Sequence, residues 1–121
     1  MQDFEGKLQQ HHALSSPVHC VANGGLGLQL ALKALGVSGE VITTPFSYVA
    51  TSSCPLWEGC RLKFVDIEPD FLTLDPIAVE AAITPATEAI LATHVFGNPC
   101  DVEALEQIIF ISTRSAVGVV Q

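Results

Sequence analysis

Val18-His19-Cys20-Val21-Ala22-Asn23-Gly24-Gly25-Leu26-Gly27-Leu28-Gln29-Leu30-Ala31-Leu32-Lys33-Ala34-Leu35-Gly36 is the stretch that decides the fold. Val18 to Ala22 is a short apolar run suited to a buried strand, and Asn23-Gly24-Gly25 is a turn. Leu26 to Leu35 then predicts a helix stopped by Gly36. Its leucines and alanines lie on all sides of the axis, so the helix is expected to be largely buried. A strand, a glycine turn and an apolar helix form the first half of an α/β unit.

The same alternation continues outward. Residues 3–14 predict a polar helix with Phe4, Leu8 and His11 on one side, broken by Ser15-Ser16-Pro17. Downstream, Glu40 to Thr43 predicts a strand ended by Thr44-Pro45, and Tyr48 to Glu58 a helix with Pro55 as its weak point. Arg61 to Asp66 is the next strand, and Glu68-Pro69-Asp70 a turn. Asp75-Pro76 pairs an N-cap with a first-turn proline, opening a helix that runs to about Ile83. After Thr84-Pro85 comes a strand from Glu88 to Thr93. The turn Gly97-Asn98-Pro99 follows, then a helix capped by Asp101 and running to about Ile108. Strands alternating with helices argue for a mainly parallel sheet flanked by helices. Ile109-Phe110-Ile111 could be one further strand, and Ser112 to Gln121 has neither period nor cap.

Composition narrows the function. The chain has 121 residues, of which 49% are hydrophobic. That is too apolar for a disordered chain, and it suggests strands covered on both faces or a surface meant to pack on something else. With 5 Lys+Arg against 13 Asp+Glu and a net charge of −8, neither a nucleic acid nor an anionic membrane is an expected partner. No apolar run reaches about 18 residues, and Met1-Gln2-Asp3-Phe4-Glu5 does not read as a secretory signal. Cys20, Cys54, Cys60 and Cys100 lie far apart without a CxxC pair. Reduced, mostly buried thiols in a cytoplasmic protein are expected, with no metal site.

Several residues could carry chemistry. Asn23-Gly24-Gly25 stands between a strand and a helix, where glycines admit a ligand and free N–H groups suit a phosphate; an ordinary tight turn would look the same. It is neither a GxGxxG fingerprint nor a P-loop. Phe46 and Tyr48 follow a strand, where an aromatic could lie over a flat cofactor ring or fill the core. His94 at a strand end is a candidate for acid–base chemistry or is structural. His11 and His12 are solvated on a polar helix, and Asp66 and Asp70 are turn residues. No catalytic arrangement of Ser, His, Asp or Cys emerges from the spacing.

Taken in order, these segments resemble the DegT/DnrJ/EryC1/StrS aminotransferases. Val21 to Leu32 is similar to that family's phosphate turn and helix. Glu40 to Thr51, Phe64 to Asp70, Ala81 to Pro85 and Thr93 to Asp101 are similar to its next four motifs. The resemblance spans about residues 3 to 108. It implies part of the large domain of a fold type I, pyridoxal-phosphate-dependent transferase. Such enzymes pass an amino group from an amino acid, usually glutamate, to a nucleotide-linked keto-sugar, and they work as homodimers. Carried over by position, Asn23, Gly24 and Gly25 would hold the cofactor phosphate, and Tyr48 would stack on the pyridine ring. Gly25 stands where the family usually has Thr, so one hydroxyl donor is missing.

The motifs that would carry the acid for the ring nitrogen and the Schiff-base lysine are not in this chain, so no catalytic residue is assigned. Lys7, Lys33 and Lys63 sit in segments unlike the lysine motif. Residues 1–108 are therefore expected to be the N-terminal part of the large domain and 109–121 a divergent tail. That change suggests a frameshift, a truncated gene or a gene fragment, and the family's segment before Phe4 is likewise missing. The expected function is a fragment of a sugar aminotransferase, inactive as this chain alone. Two other readings stay open. One is a non-catalytic protein that docks on a full-length relative, distinguished by co-purification. The other is a small nucleotide-binding protein, distinguished by saturable mononucleotide binding at the Asn23 turn.

Overall fold

The computed structural model describes residues 1–112. The elements in chain order are α1 (Gln2–His11), α2 (Gly24–Ala34), β1 (Glu40–Thr43), α3 (Ala50–Trp57), β2 (Arg61–Phe64), α4 (Pro76–Ala82), β3 (Thr87–Ile90), a 3-10 turn (Val95–Gly97) and α5 (Val102–Ser112). The three strands form one parallel sheet in the order β2-β1-β3. β1 is central, with Val41 opposite Leu62 on one side and Ala89 on the other.

Burial on both faces explains the composition. Side chains alternate across a strand, so Val41 and Ile42 enter different layers. Val41 and Ala89 pack with Leu28, Leu32, Val37, Cys54 and Cys60, which places α2 and α3 on one face. Ile42 and Ile90 pack with Leu74, Val79, Ala82, Cys100 and Leu105, which places α4 and α5 on the other. The result is a three-layer α/β/α arrangement, the setting in which parallel strands read as continuous apolar runs. β2 at the edge is less covered, and Phe64 is exposed.

Local signals set most boundaries. Asn23 caps α2 by accepting the Leu26 N–H on Oδ1 at 2.9 Å. Gly36, at φ 69°, ends it: the Gly36 N–H reaches the Lys33 carbonyl and the Val37 N–H the Leu32 carbonyl, the double bond of a Schellman stop. Asp75 accepts from Ile77 ahead of Pro76, and Asp101 from Ala104. β1 begins beside a carboxylate clamp. Glu88 Oε2 accepts the N–H groups of Ser38 at 2.8 Å and Gly39 at 2.7 Å. A Cβ on Gly39 would sit 2.6 Å from that carboxylate, so glycine is what allows the approach.

Three expectations are corrected. Val18 to Ala22 forms no strand; among the described residues it pairs with none, and Val21 is exposed. An apolar run becomes a strand only where an open ladder meets it, and here the Cys20 N–H goes instead to the Glu5 carboxylate at 2.8 Å. α2 is not buried all round: Leu28 and Leu32 face the sheet, whereas Leu26, Leu30 and Leu35 are exposed. Ile109 to Ile111 belongs to α5, which continues to Ser112, and is not a strand. The polar helix is present as α1, but it buries no residue. All four cysteines are free thiols, three of them buried.

Ile42 is fully buried and Leu30 is 56% exposed. Ile42→Ala is expected to cost about 2–5 kcal/mol by lost transfer energy and cavity formation, and Leu30→Ala within about 0.5 kcal/mol, both measured by urea denaturation. Hydrogen bonds from Ser38 and Gly39 hold the Glu88 carboxyl below the usual carboxylate range. A depressed carboxyl contributes stability above its unfolded pKa and loses it as pH falls through the folded value. Glu88→Gln is expected to be less stable than the parent at neutral pH, with the difference shrinking through the acid range, as followed by denaturation at a series of pH values.

Candidate functional site

The connections leaving β1 and β3 diverge. β1 leads to α3 on one face, and β3 leads through the 3-10 turn to α5 on the other. In an open parallel sheet a crevice forms beyond the carboxyl ends of strands whose connections part in this way. A cleft of about 610 Å³ lies there, and its walls bring together Asn23, Gly24 and Gly25 from the start of α2, Ser47 and Tyr48 after β1, and Thr93 after β3. Thr51, Cys54 and Trp57 of α3 also line it. The four residues singled out in the sequence for a cofactor, Asn23, Gly24, Gly25 and Tyr48, thus share one cavity although the last is far from the others in sequence.

The turn offers backbone donors. Asn23 caps the Leu26 N–H with its side chain and takes the Gly27 N–H on its carbonyl at 3.3 Å. Among the described residues no acceptor takes the N–H of Gly24 or Gly25, which sit at the electropositive end of an eleven-residue helix. Gly25 is packed from below: the Cys54 thiol donates to its carbonyl at 3.5 Å. A Cβ at Gly25 would lie 3.2 Å from Asn23 Oδ1 and 3.5 Å from Cys54 Sγ. A threonine at Gly25 would therefore crowd the cap, and glycine leaves the turn intact.

Tyr48 is 79% exposed, so it is no core residue and its ring is free to cover a flat ligand. Phe46 is also exposed and meets Phe96 edge-to-face at 6.2 Å. His94 is structural: its Nδ1 accepts the Cys100 N–H at 2.9 Å and steadies the 93–101 loop. Asp66 accepts from its neighbour Ile67, and the turn at 68–70 is organised by Glu68, whose carboxylate receives the N–H groups of Asp70, Phe71 and Thr73. The turn at Glu68-Pro69-Asp70 is legible in the sequence, but the role of the Glu68 carboxylate is not. Nor are the hydroxyl contacts in the cleft, where Ser47 bonds Thr51 at 2.8 Å and Thr93 at 3.2 Å. Serine and threonine are too frequent at strand ends for spacing to single these out.

No lysine lines the cleft. Lys7 pairs with Asp3, Lys33 with Glu58, and Lys63 donates to the Ala82 carbonyl at 2.7 Å. The Glu58 carboxylate raises the Lys33 ammonium above its ordinary value, which keeps it charged and a poor nucleophile. Among the described residues no group of three or more His, Cys, Asp or Glu could hold a metal, and no helix is long and apolar enough to cross a membrane.

A parallel sheet between helix layers, with a glycine turn at the carboxyl-end crevice, is part of the large domain of a fold type I, pyridoxal-phosphate-dependent transferase. The family model for the DegT/DnrJ/EryC1/StrS aminotransferase family matches residues 1–119, and the chain belongs to that family. The match takes in most of the 109–121 stretch. The chain is 50% identical over 107 residues to dTDP-4-amino-4,6-dideoxy-D-glucose transaminase of Escherichia coli, covering 88% of this chain and 29% of that protein. It is 39% identical over 109 residues to L-glutamine:2-deoxy-scyllo-inosose aminotransferase of Streptomyces kanamyceticus, covering 87% and 25% respectively. The crystal structure of NtdA from Bacillus subtilis with bound cofactor PMP superposes with a TM-score of 0.87 at 32% identity, over 95% of this chain and 26% of that one. The chain thus spans less than a third of the length of these relatives.

Removing the Asn23 side chain tests the turn. Asn23→Ala is expected to cost about 1 kcal/mol through loss of the cap, and Asn23→Asp to retain most of it, both read from thermal unfolding.

Proposed function

We propose that residues 1–108 are the N-terminal part of the large domain of a pyridoxal-phosphate-dependent aminotransferase, with 109–121 as a departing tail. The parent activity would transfer an amino group from an amino acid, glutamate, to a nucleotide-linked keto-sugar, in a cytoplasmic homodimer. The single observation that carries the reading is the convergence of the Asn23-Gly24-Gly25 turn and Tyr48 on one cleft at the carboxyl end of the sheet.

The residues present fit a phosphorylated planar cofactor. The unbonded N–H groups of Gly24 and Gly25 suit phosphate oxygens, and Tyr48 offers an uncovered aromatic face beside them. When bound, pyridoxal phosphate supplies the electron sink for amino-group transfer. This chain's residues would bind and orient it but not move the proton. Among the described residues no lysine reaches the cleft and no carboxylate lines it, which supports inactivity of the chain alone. E. coli dTDP-4-amino-4,6-dideoxy-D-glucose transaminase supports the nucleotide-sugar assignment by its name, while the name of the S. kanamyceticus relative carries L-glutamine and a cyclitol.

One observation favours a second reading, a non-catalytic protein that docks on a full-length relative. Leu26 and Leu30, one turn apart on α2, and Leu56 and Trp57 at the end of α3 all leave large apolar side chains exposed.

Trp57 is the one tryptophan and lines the cleft, so its fluorescence reports occupancy. Pyridoxamine phosphate is expected to quench it saturably. Incubation with pyridoxal phosphate and borohydride is expected to leave Lys7, Lys33 and Lys63 without a stoichiometric adduct by mass spectrometry. One lysine modified one-to-one, with transaminase turnover, would overturn the inactivity; no quenching would overturn the cofactor site.

A further inference from the structure

The floor of the cleft holds a chain of three hydroxyls from three separate segments. Ser47 follows β1, Thr51 is in the first turn of α3, and Thr93 follows β3. Ser47 Oγ donates to Thr93 Oγ1 at 3.2 Å and shares a 2.8 Å bond with Thr51 Oγ1. A hydroxyl has one hydrogen to give. Since Ser47 gives its hydrogen to Thr93, Thr51 must be the donor to Ser47. The direction of the chain is then Thr51 to Ser47 to Thr93, and Thr93 ends it with a hydrogen that no acceptor among the described residues takes. The Thr93 carbonyl is separately engaged by the Cys100 thiol at 3.0 Å, which fixes the backbone that carries this hydroxyl.

Such a chain polarises its terminal O–H, each accepted bond making the next donor stronger. Thr93 opens on the same cleft as the Gly24 and Gly25 N–H groups. Gly24 and Gly25 supply only backbone donors, because neither has a side chain. The cleft thus presents two N–H groups from α2 and one activated hydroxyl from the segment after β3.

We propose that Thr93 is a hydrogen-bond donor to an anionic oxygen of the ligand bound in this cleft, and that Ser47 and Thr51 are positioning residues that aim and polarise its hydroxyl. The inference rests on the cofactor reading above. The anionic oxygen belongs either to a phosphate or to the phenolate of a pyridine ring, and the two are separable by probe.

The test is titration of the full chain with pyridoxamine phosphate, pyridoxamine and inorganic phosphate, followed by Trp57 fluorescence and calorimetry. Thr93→Val keeps the shape and removes the O–H. It is expected to weaken pyridoxamine phosphate binding roughly tenfold or more, as for loss of a bond to a charged group. Thr93→Ser restores the hydroxyl and is expected to bind within about threefold of the parent, and Ser47→Ala to fall between the two. Circular dichroism and thermal unfolding of each variant show that the fold is kept. A merely structural Thr93 would not show rescue by serine in affinity at equal stability. A penalty in Thr93→Val that persists with inorganic phosphate supports the proposal and places the acceptor on phosphate. One that persists with pyridoxamine supports it and places the acceptor on the ring. Parent-like binding by a folded Thr93→Val overturns the proposal and leaves the cofactor reading standing. No binding of pyridoxamine phosphate by the parent chain overturns both.

Discussion

Pairing of β1 on both of its edges is the constraint on which the rest of the structure depends. Four residues, Glu40 to Thr43, form parallel ladders to β2 and β3 at once. A strand flanked on both sides must also be covered on both faces, because helix crossovers are the only short way to join parallel neighbours. Val41 and Ile42 therefore nucleate two separate cores, one with α2 and α3 and one with α4 and α5. Thr43 completes the strand by sending its hydroxyl to the Leu91 carbonyl at 2.8 Å, which satisfies a fully buried polar side chain and ties the ends of β1 and β3 together.

The site is a consequence of the same strand. With β1 central, its outgoing connection turns to one face while that of β3 turns to the other, and the gap between them is the cleft. Ser47 and Thr93 close its floor by bonding across that gap. The start of α2 borders the cleft because Leu28 and Leu32 seat that helix over Val41, and Cys54 of α3 supports the turn from beneath at Gly25. The cleft is built by topology, and the groups that line it among the described residues are backbone N–H, amide and hydroxyl donors in place of charges.

Particular elements show how far the sequence could be read. The caps at Asn23, Asp75 and Asp101 and the stop at Gly36 are local, because a side-chain oxygen or a positive φ acts within a few residues. Glu40 to Thr43 was legible because a short β-branched run followed by proline admits little else. Val18 to Ala22 has the same apolar character and still forms no strand, since pairing depends on which edges remain open. The leucines of α2 look alike in sequence, yet Leu28 and Leu32 are buried and Leu26 and Leu30 are not, because the sheet covers only one side of the helix.

The sequence by itself determined the alternation of strands and helices, the glycine turn, the family and the candidates Asn23, Gly24, Gly25 and Tyr48. These follow from short-range chemistry and from motifs in order along the chain. Only the tertiary structure decided that those four residues share one cleft, that every lysine described lies outside it, and that Thr51, Ser47 and Thr93 join into one directed chain of hydroxyls. The physical reason is that these are relations between segments far apart in the chain. They depend on the order β2-β1-β3 and on which face each crossover takes, and neither is set by any residue alone.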